Sequence, residues 1–189
     1  FGSTFQMQHR TTIWAIVTQN GSFAGTSRVD NFDEYGRPTW LKEERGFLTR
    51  WKYDDSTDGL LQRIDDVQVS SISDSPSVPS GWTTPSGGGL HLITDNTLDD
   101  LGRITQALGP VHSIDVSGTN TSLRRATWTV YKDAVQEVRT AEGYATGTFP
   151  SYTYTLIEPI TALKLDRQGR VKDRIVSKRD PLVTGALTA

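Results

Sequence analysis

The chain has 189 residues, a formal net charge of −2 and 35% hydrophobic residues, which suits one domain of ordinary size or two small ones and lies above the disordered regime. No apolar run approaches the roughly 20 residues of a membrane-spanning helix, and the near-neutral charge speaks against a dedicated nucleic-acid binder. The absence of Cys excludes disulfides, a thiol nucleophile and Cys-ligated metal.

Ser and Thr contribute 41 residues and Gly 17, beside five Trp and six Tyr, a composition biased toward strands and turns. The chain opens at Phe1, as expected of a processed product or a piece of a longer protein. In chain order, Ile13 to Val17 is apolar on both faces and predicts a central strand with Trp14 in the core. Short strands are predicted near 47–54 and 60–69. From Ser70 to Gly89, three Pro and four Gly interrupt any ladder, so 73–89 is expected as a loop or linker between units 1–72 and 90–189. Further strands are predicted near 89–94, 111–116, 126–131, 152–157, 160–166 and 170–177, with strand preferred over helix at 134–142. Ala126, Trp128 and Val130 share one face of their strand, as do Tyr152, Tyr154 and Leu156.

A five-residue turn signature recurs three times: Asp33-Glu-Tyr-Gly36-Arg37, Asp99-Asp-Leu-Gly102-Arg103 and Asp166-Arg-Gln-Gly169-Arg170. An apolar residue precedes each Asp, and the spacings are 66 and 67 residues. Asp at the first position can accept backbone N–H bonds, and Gly supplies the positive φ that closes a hairpin. The strand Arg50-Trp-Lys-Tyr53-Asp54 accompanies the first turn, and Thr129-Val-Tyr131-Lys-Asp133 echoes it.

This pattern resembles the YD-repeat, or RHS-repeat, family of bacterial proteins and the related teneurins. The resemblance implies an all-β fold of stacked antiparallel β-hairpins, forming a curved sheet or an open, barrel-like segment of shell. It also implies a non-enzymatic scaffold, secreted or at the bacterial cell surface, that walls in a toxin cargo or serves as a spacer. The partners then expected are neighbouring repeats of a longer parent chain, or self-association through strand edges. No cofactor, nucleic acid or membrane span is expected.

Other residues invite chemistry. Asp54, Ser56, Asp58 and Asp65 fall at positions 1, 3, 5 and 12 of a calcium-loop template with Gly59 at position 6, and equally suit a polar, lengthened hairpin turn. The doublets Glu43-Glu44, Asp65-Asp66 and Asp99-Asp100 raise a glycosidase reading, but neighbours on a strand point to opposite faces. His91 and His112 lack a Gly-x-Ser-x-Gly elbow to serve. Trp82, in the Pro/Gly segment, could stack on a sugar ring together with the Tyr152/Tyr154 face, making a carbohydrate- or ligand-binding module. It could also fold back over a sheet. From Lys164 to Arg179 seven Lys and Arg occur, fitting a solvated outer face that discourages edge-to-edge aggregation. Asp173 among them calls for a cationic neighbour.

Overall fold

The computed structural model describes residues 6–14, 27–116, 118–157 and 159–177. Among them, twelve strands alternate with turns: β1 His9–Ile13, β2 Ser27–Phe32, β3 Pro38–Lys42, β4 Leu48–Tyr53, β5 Leu60–Asp65, β6 Leu92–Leu98, β7 Ile104–Val116, β8 Thr119–Lys132, β9 Glu137–Thr148, β10 Ser151–Leu156, β11 Thr161–Leu165 and β12 Val171–Val176. The all-β expectation holds. The strands follow chain order through one antiparallel sheet from β1 to β9, then β11 and β12, with β10 also paired to β9. Among the described residues β1 and β12 are its two ends and do not pair with each other, so the sheet is not closed into a barrel.

By contacts the chain divides into two compact units, Phe1–Tyr53 with Gln62–Leu92, and Asp54–Leu61 with Ile93–Ala189. The turn at 54–61 groups with the second unit, and residues 73–89 group with the first.

In the first unit, Trp40, Leu48 and Val67 are fully buried, and Leu41 and Ile64 are buried too. The Ser/Pro/Gly segment is a packed loop. Asp66 holds its returning end by accepting the N–H groups of Gly89 and Leu90 at 2.8 and 2.9 Å. The Thr84 hydroxyl accepts from the Val69 N–H at 2.9 Å. The strand expected at 13–17 is different: β1 ends at Ile13 and lies at the sheet's edge, with Ile13 and Trp14 exposed. Residues 15–17 lie outside the described residues. A run that is apolar on both faces signals burial only when strands flank both edges, and among the described residues β1 pairs with β2 alone.

In the second unit the alternation holds. Ala126, Trp128 and Val130 are buried on β8, and Ala141 and Ala145 on β9, with Leu156 closing the cluster from β10. Between the two alanines stands Gly143, where a Cβ would approach Thr155 O and Trp128 Cζ3 too closely to fit. Small residues along β9 thus make room for the indole of β8. Strands β10 and β11 lie end to end along one side of β9, pairing with Gly143–Thr148 and Glu137–Thr140 respectively.

Candidate functional site

The repeated signature folds the same way three times, at the tips of the β2–β3, β6–β7 and β11–β12 hairpins. In the first, the Asp33 N–H donates to Arg37 O at 2.9 Å and the Gly36 N–H to Asp33 O at 3.1 Å. One carboxylate oxygen, Oδ1, accepts the N–H groups of Tyr35 and Arg37 at 3.0 and 2.9 Å. The other accepts Arg37 Nε at 2.6 Å. Asp99 with Leu101 and Arg103, and Asp166 with Gln168 and Arg170, repeat every one of these bonds between 2.7 and 3.0 Å. The glycines sit at φ +81°, +75° and +77°, a region costly to a residue with a Cβ. In all three hairpins the register shifts by one residue where strand meets tip, just before Phe32, Leu98 and Leu165. The Asp therefore closes the turn through its backbone and its carboxylate together, and the Arg is part of the clasp.

Electrostatics follow this geometry. Partial burial works against ionisation of Asp33 and Asp99, but the N–H groups and guanidinium gathered at each carboxylate outweigh it and hold both below the usual carboxylate range. Asp166 is lowered first by the Arg170 N–H. The arginines differ in what covers them. Arg37 lies between the rings of Tyr35 and Tyr53, at 4.9 and 4.7 Å. Arg103 lies 4.0 Å from the Tyr131 ring centroid, and Asp133 accepts from both its terminal nitrogens at 2.9 Å.

Sequence reasoning missed a fourth tip. Glu43-Glu44-Arg45-Gly46-Phe47, between β3 and β4, makes the same backbone bonds, Glu43 N–H to Phe47 O at 2.9 Å and Gly46 N–H to Glu43 O at 2.8 Å, with Gly46 at φ +86°. The fourth-position Gly before an apolar strand was the available signal. Asp54 opens a longer variant, in which its N–H bonds Gly59 O at 2.8 Å and Asp58 adopts φ +60°.

Sequence reasoning also missed two buried arginines. Arg124, 7% exposed, uses all five of its N–H donors. Nε bonds Gly109 O at 2.6 Å; Nη1 bonds Tyr152 OH at 3.0 Å and Asp95 at 2.8 Å; Nη2 bonds Leu108 O at 2.9 Å and Ile93 O at 3.1 Å. It thereby satisfies carbonyls around the irregularity between Leu108 and Val111 of β7. Arg50, 1% exposed, reaches into the Ser/Pro/Gly loop, bonding Asp74 Oδ1 at 2.7 Å and Pro76 O at 3.1 Å.

The remaining candidates fall as follows. Trp82 is half-buried, packed edge-on against Trp40 at 6.2 Å with the Lys42 ammonium 5.9 Å from its ring, so it roofs the sheet. Tyr154 packs on Trp128 at 5.9 Å and accepts from Gln106, while Tyr152 accepts from Arg124. Asp54 Oδ2 is taken up by the N–H and hydroxyl groups of Ser56 and Thr57, which lower its pKa. Asp65 pairs with Arg63 at 2.8 Å. Among the described residues no three His, Asp or Glu come together so as to hold a metal ion, and no helix is long and apolar enough to cross a membrane. His91 accepts the Gln68 N–H through Nδ1 at 3.1 Å, and burial, then the Arg50 charge, push its pKa down. His112 is exposed. Asp173 stands in register with Lys164, the cationic neighbour its position called for.

Two open clefts lie in the second unit. One, about 610 Å³, is lined by Thr127, Thr129, Thr140, Glu142, Thr161 and Arg174. The other, about 600 Å³, is lined by Asp54, Thr57, Asn96, Asp99 and Asp100, and its Asp54 and Asp99 carboxylates are already engaged in their own turns. No protein-family model matches the chain, and no curated protein matches it in sequence.

Proposed function

We infer that the chain is a non-enzymatic scaffold: a stretch of antiparallel wall of the YD/RHS-repeat kind, exported to the bacterial surface as a spacer or as part of a shell around a cargo. The observation that carries this reading is the repetition of one side-chain-clasped hairpin tip, bond for bond, at nearly constant spacing. A wall needs a turn that closes each hairpin in the same register, and the Asp–Arg clasp supplies it locally. The work of such a protein lies in backbone pairing and strand edges, with neighbouring repeats as partners.

The reading is tested on a panel of immobilised glycans and chromogenic glycosides, with wild type and Trp82→Ala compared. A scaffold gives neither turnover nor saturable glycan binding. Saturable binding that Trp82→Ala abolishes, with the circular dichroism spectrum unchanged, would overturn it in favour of a carbohydrate-binding module. Protease shaving of intact producing cells tests the location, since a surface spacer is cleaved and an internal protein is spared.

A further inference from the structure

The Ser/Pro/Gly loop is gripped at its base by a histidine that keeps its hold only while neutral. Gln68 donates its backbone N–H to His91 Nδ1 at 3.1 Å, and His91 donates its own to Asp66 O at 2.8 Å. A backbone amide can only donate, so Nδ1 must offer a lone pair and the ring proton sits on Nε2. Asp66 also receives the Gly89 and Leu90 N–H groups. Residues 66–68 and 89–91 are thus cross-bonded where the loop leaves and returns. Asp66 and His91 hold this crossing at φ +50° and +54°, a left-handed region that Asp and His tolerate better than most residues.

Beyond its base the loop is held by side-chain grips instead of by a core. None of residues 69–91 is fully buried. Arg50 holds Asp74 and Pro76, Thr84 accepts the Val69 N–H, and Trp82 lies edge-on against Trp40. Closure also leaves Trp40 Nε1 buried with no partner among the described residues, a cost relieved once water reaches it. A segment with so little buried apolar contact belongs to the low end of local stability.

We propose that His91 is a proton-operated latch: a proton taken up at Nδ1 breaks the Gln68 bond, the loop opens while the strands stay paired, and the Trp40 and Trp82 rings are bared to water. This device is independent of the scaffold reading. Burial, and then the charge of Arg50 on β4, push the His91 pKa down. Asp66, at the end of β5, is already bonded to the loop's backbone. In the loop itself, Asp74 is held below the usual carboxylate range by Lys52 and then Arg50, so its grip persists where His91 titrates. A depressed histidine stabilises the closed loop above its open-state value of about 6.5, and that stability is lost as pH falls below it.

Amide hydrogen exchange on the full chain, read by NMR from about pH 7.5 to about 5 and corrected for intrinsic rates, tests the latch. Protection of the Gln68, Gly89 and Leu90 amides is expected to fall by up to about tenfold per pH unit below about 6.5. Amides of β3 and β4 should keep theirs. His91→Asn keeps an acceptor at the place of Nδ1 and tolerates the positive φ, so its protection should stay flat. The wild-type His91 ring signals, followed in the same samples, should titrate together with the loss at Gln68, a readout that needs no variant. A ring that protonates while the Gln68 amide stays protected overturns the proposal. So does a fall shared equally by β3 and β4, or the same fall in folded His91→Asn.

Discussion

Among the described residues each unit buries one tryptophan and one arginine, and the two pairs are finished in different ways. In the second unit Trp128 donates its indole N–H to Gln106 at 2.8 Å, and Arg124 is enclosed by strand carbonyls, Tyr152 and Asp95. In the first, Trp40 is roofed by a loop residue, Trp82, and its indole N–H is buried with no partner among the described residues. Arg50 there is tied to a loop whose Asp74 is 47% exposed. The strands of the second unit close their own core. The first unit borrows a cover from outside its ladder, and a long Ser/Pro/Gly-rich loop exists to provide it.

The largest expected effect separates the two arginines. Arg124→Met leaves the carbonyls of Ile93, Leu108 and Gly109 without that donor and is expected to cost about 3–5 kcal/mol. Arg50→Met frees groups that water can reach and should cost about 1–3 kcal/mol. Urea unfolding of the two variants measures both, and the reverse order would break the comparison.

The indoles sharpen it. Trp128→Phe strands the Gln106 oxygen and should cost about 1–3 kcal/mol, whereas Trp40→Phe deletes a donor that already had no partner and should cost less. Equal losses in thermal unfolding would mean that Trp40 Nε1 is satisfied in solution.

A smaller effect distinguishes the tips. Gly102→Ala meets Thr57 O at 2.7 Å in addition to the positive φ, while a Cβ at Gly169 meets nothing within 4 Å. Both substitutions should cost about 1–2 kcal/mol through φ alone, with the Gly102 variant clearly worse. Differential scanning calorimetry tells them apart.

Acid has the gentlest effect expected. Burial opposes ionisation of Asp30, yet Arg28 and Arg10 hold its pKa below the usual value, as Arg37 does for Asp33. A depressed carboxylate stabilises the fold above its unfolded pKa, and that stability is lost as pH falls through the folded value. The carboxylates' share of the stability should hold down to roughly pH 5 and decline below about 4, with Asp30→Asn blunting the decline. His91, whose pKa is depressed by burial, adds a shallow loss as pH falls below its unfolded value of about 6.5, which His91→Asn removes.

Much of this was legible in the sequence, because the governing interactions are local. Three tips, their Gly conformations and the buried faces of β8 and β10 follow from turn chemistry and alternation. The guanidinium clasp did not, since nothing in the spacing says that a residue after Gly folds back onto Asp. Arg124 shares a face with Ala126, Trp128 and Val130, and parity alone pointed it inward. Arginine's usual preference for the surface hid that. The roof formed by Trp82 and the grip of Arg50 on Asp74 span 42 and 24 residues of chain and depend on where the loop lands, which no local pattern encodes. The tip at Glu43 was hidden because Glu and Phe stand where its sisters have Asp and Arg.

The central claim is that the tips at Asp33 and Asp99 are each completed by an aromatic ring from the following strand, Tyr53 on Arg37 and Tyr131 on Arg103. A double-mutant cycle on Arg37→Ala and Tyr53→Ala, read by urea unfolding, tests it most directly. The account predicts a favourable coupling of about 0.5–1 kcal/mol between the two residues. Costs that simply add, to within about 0.3 kcal/mol, would contradict it.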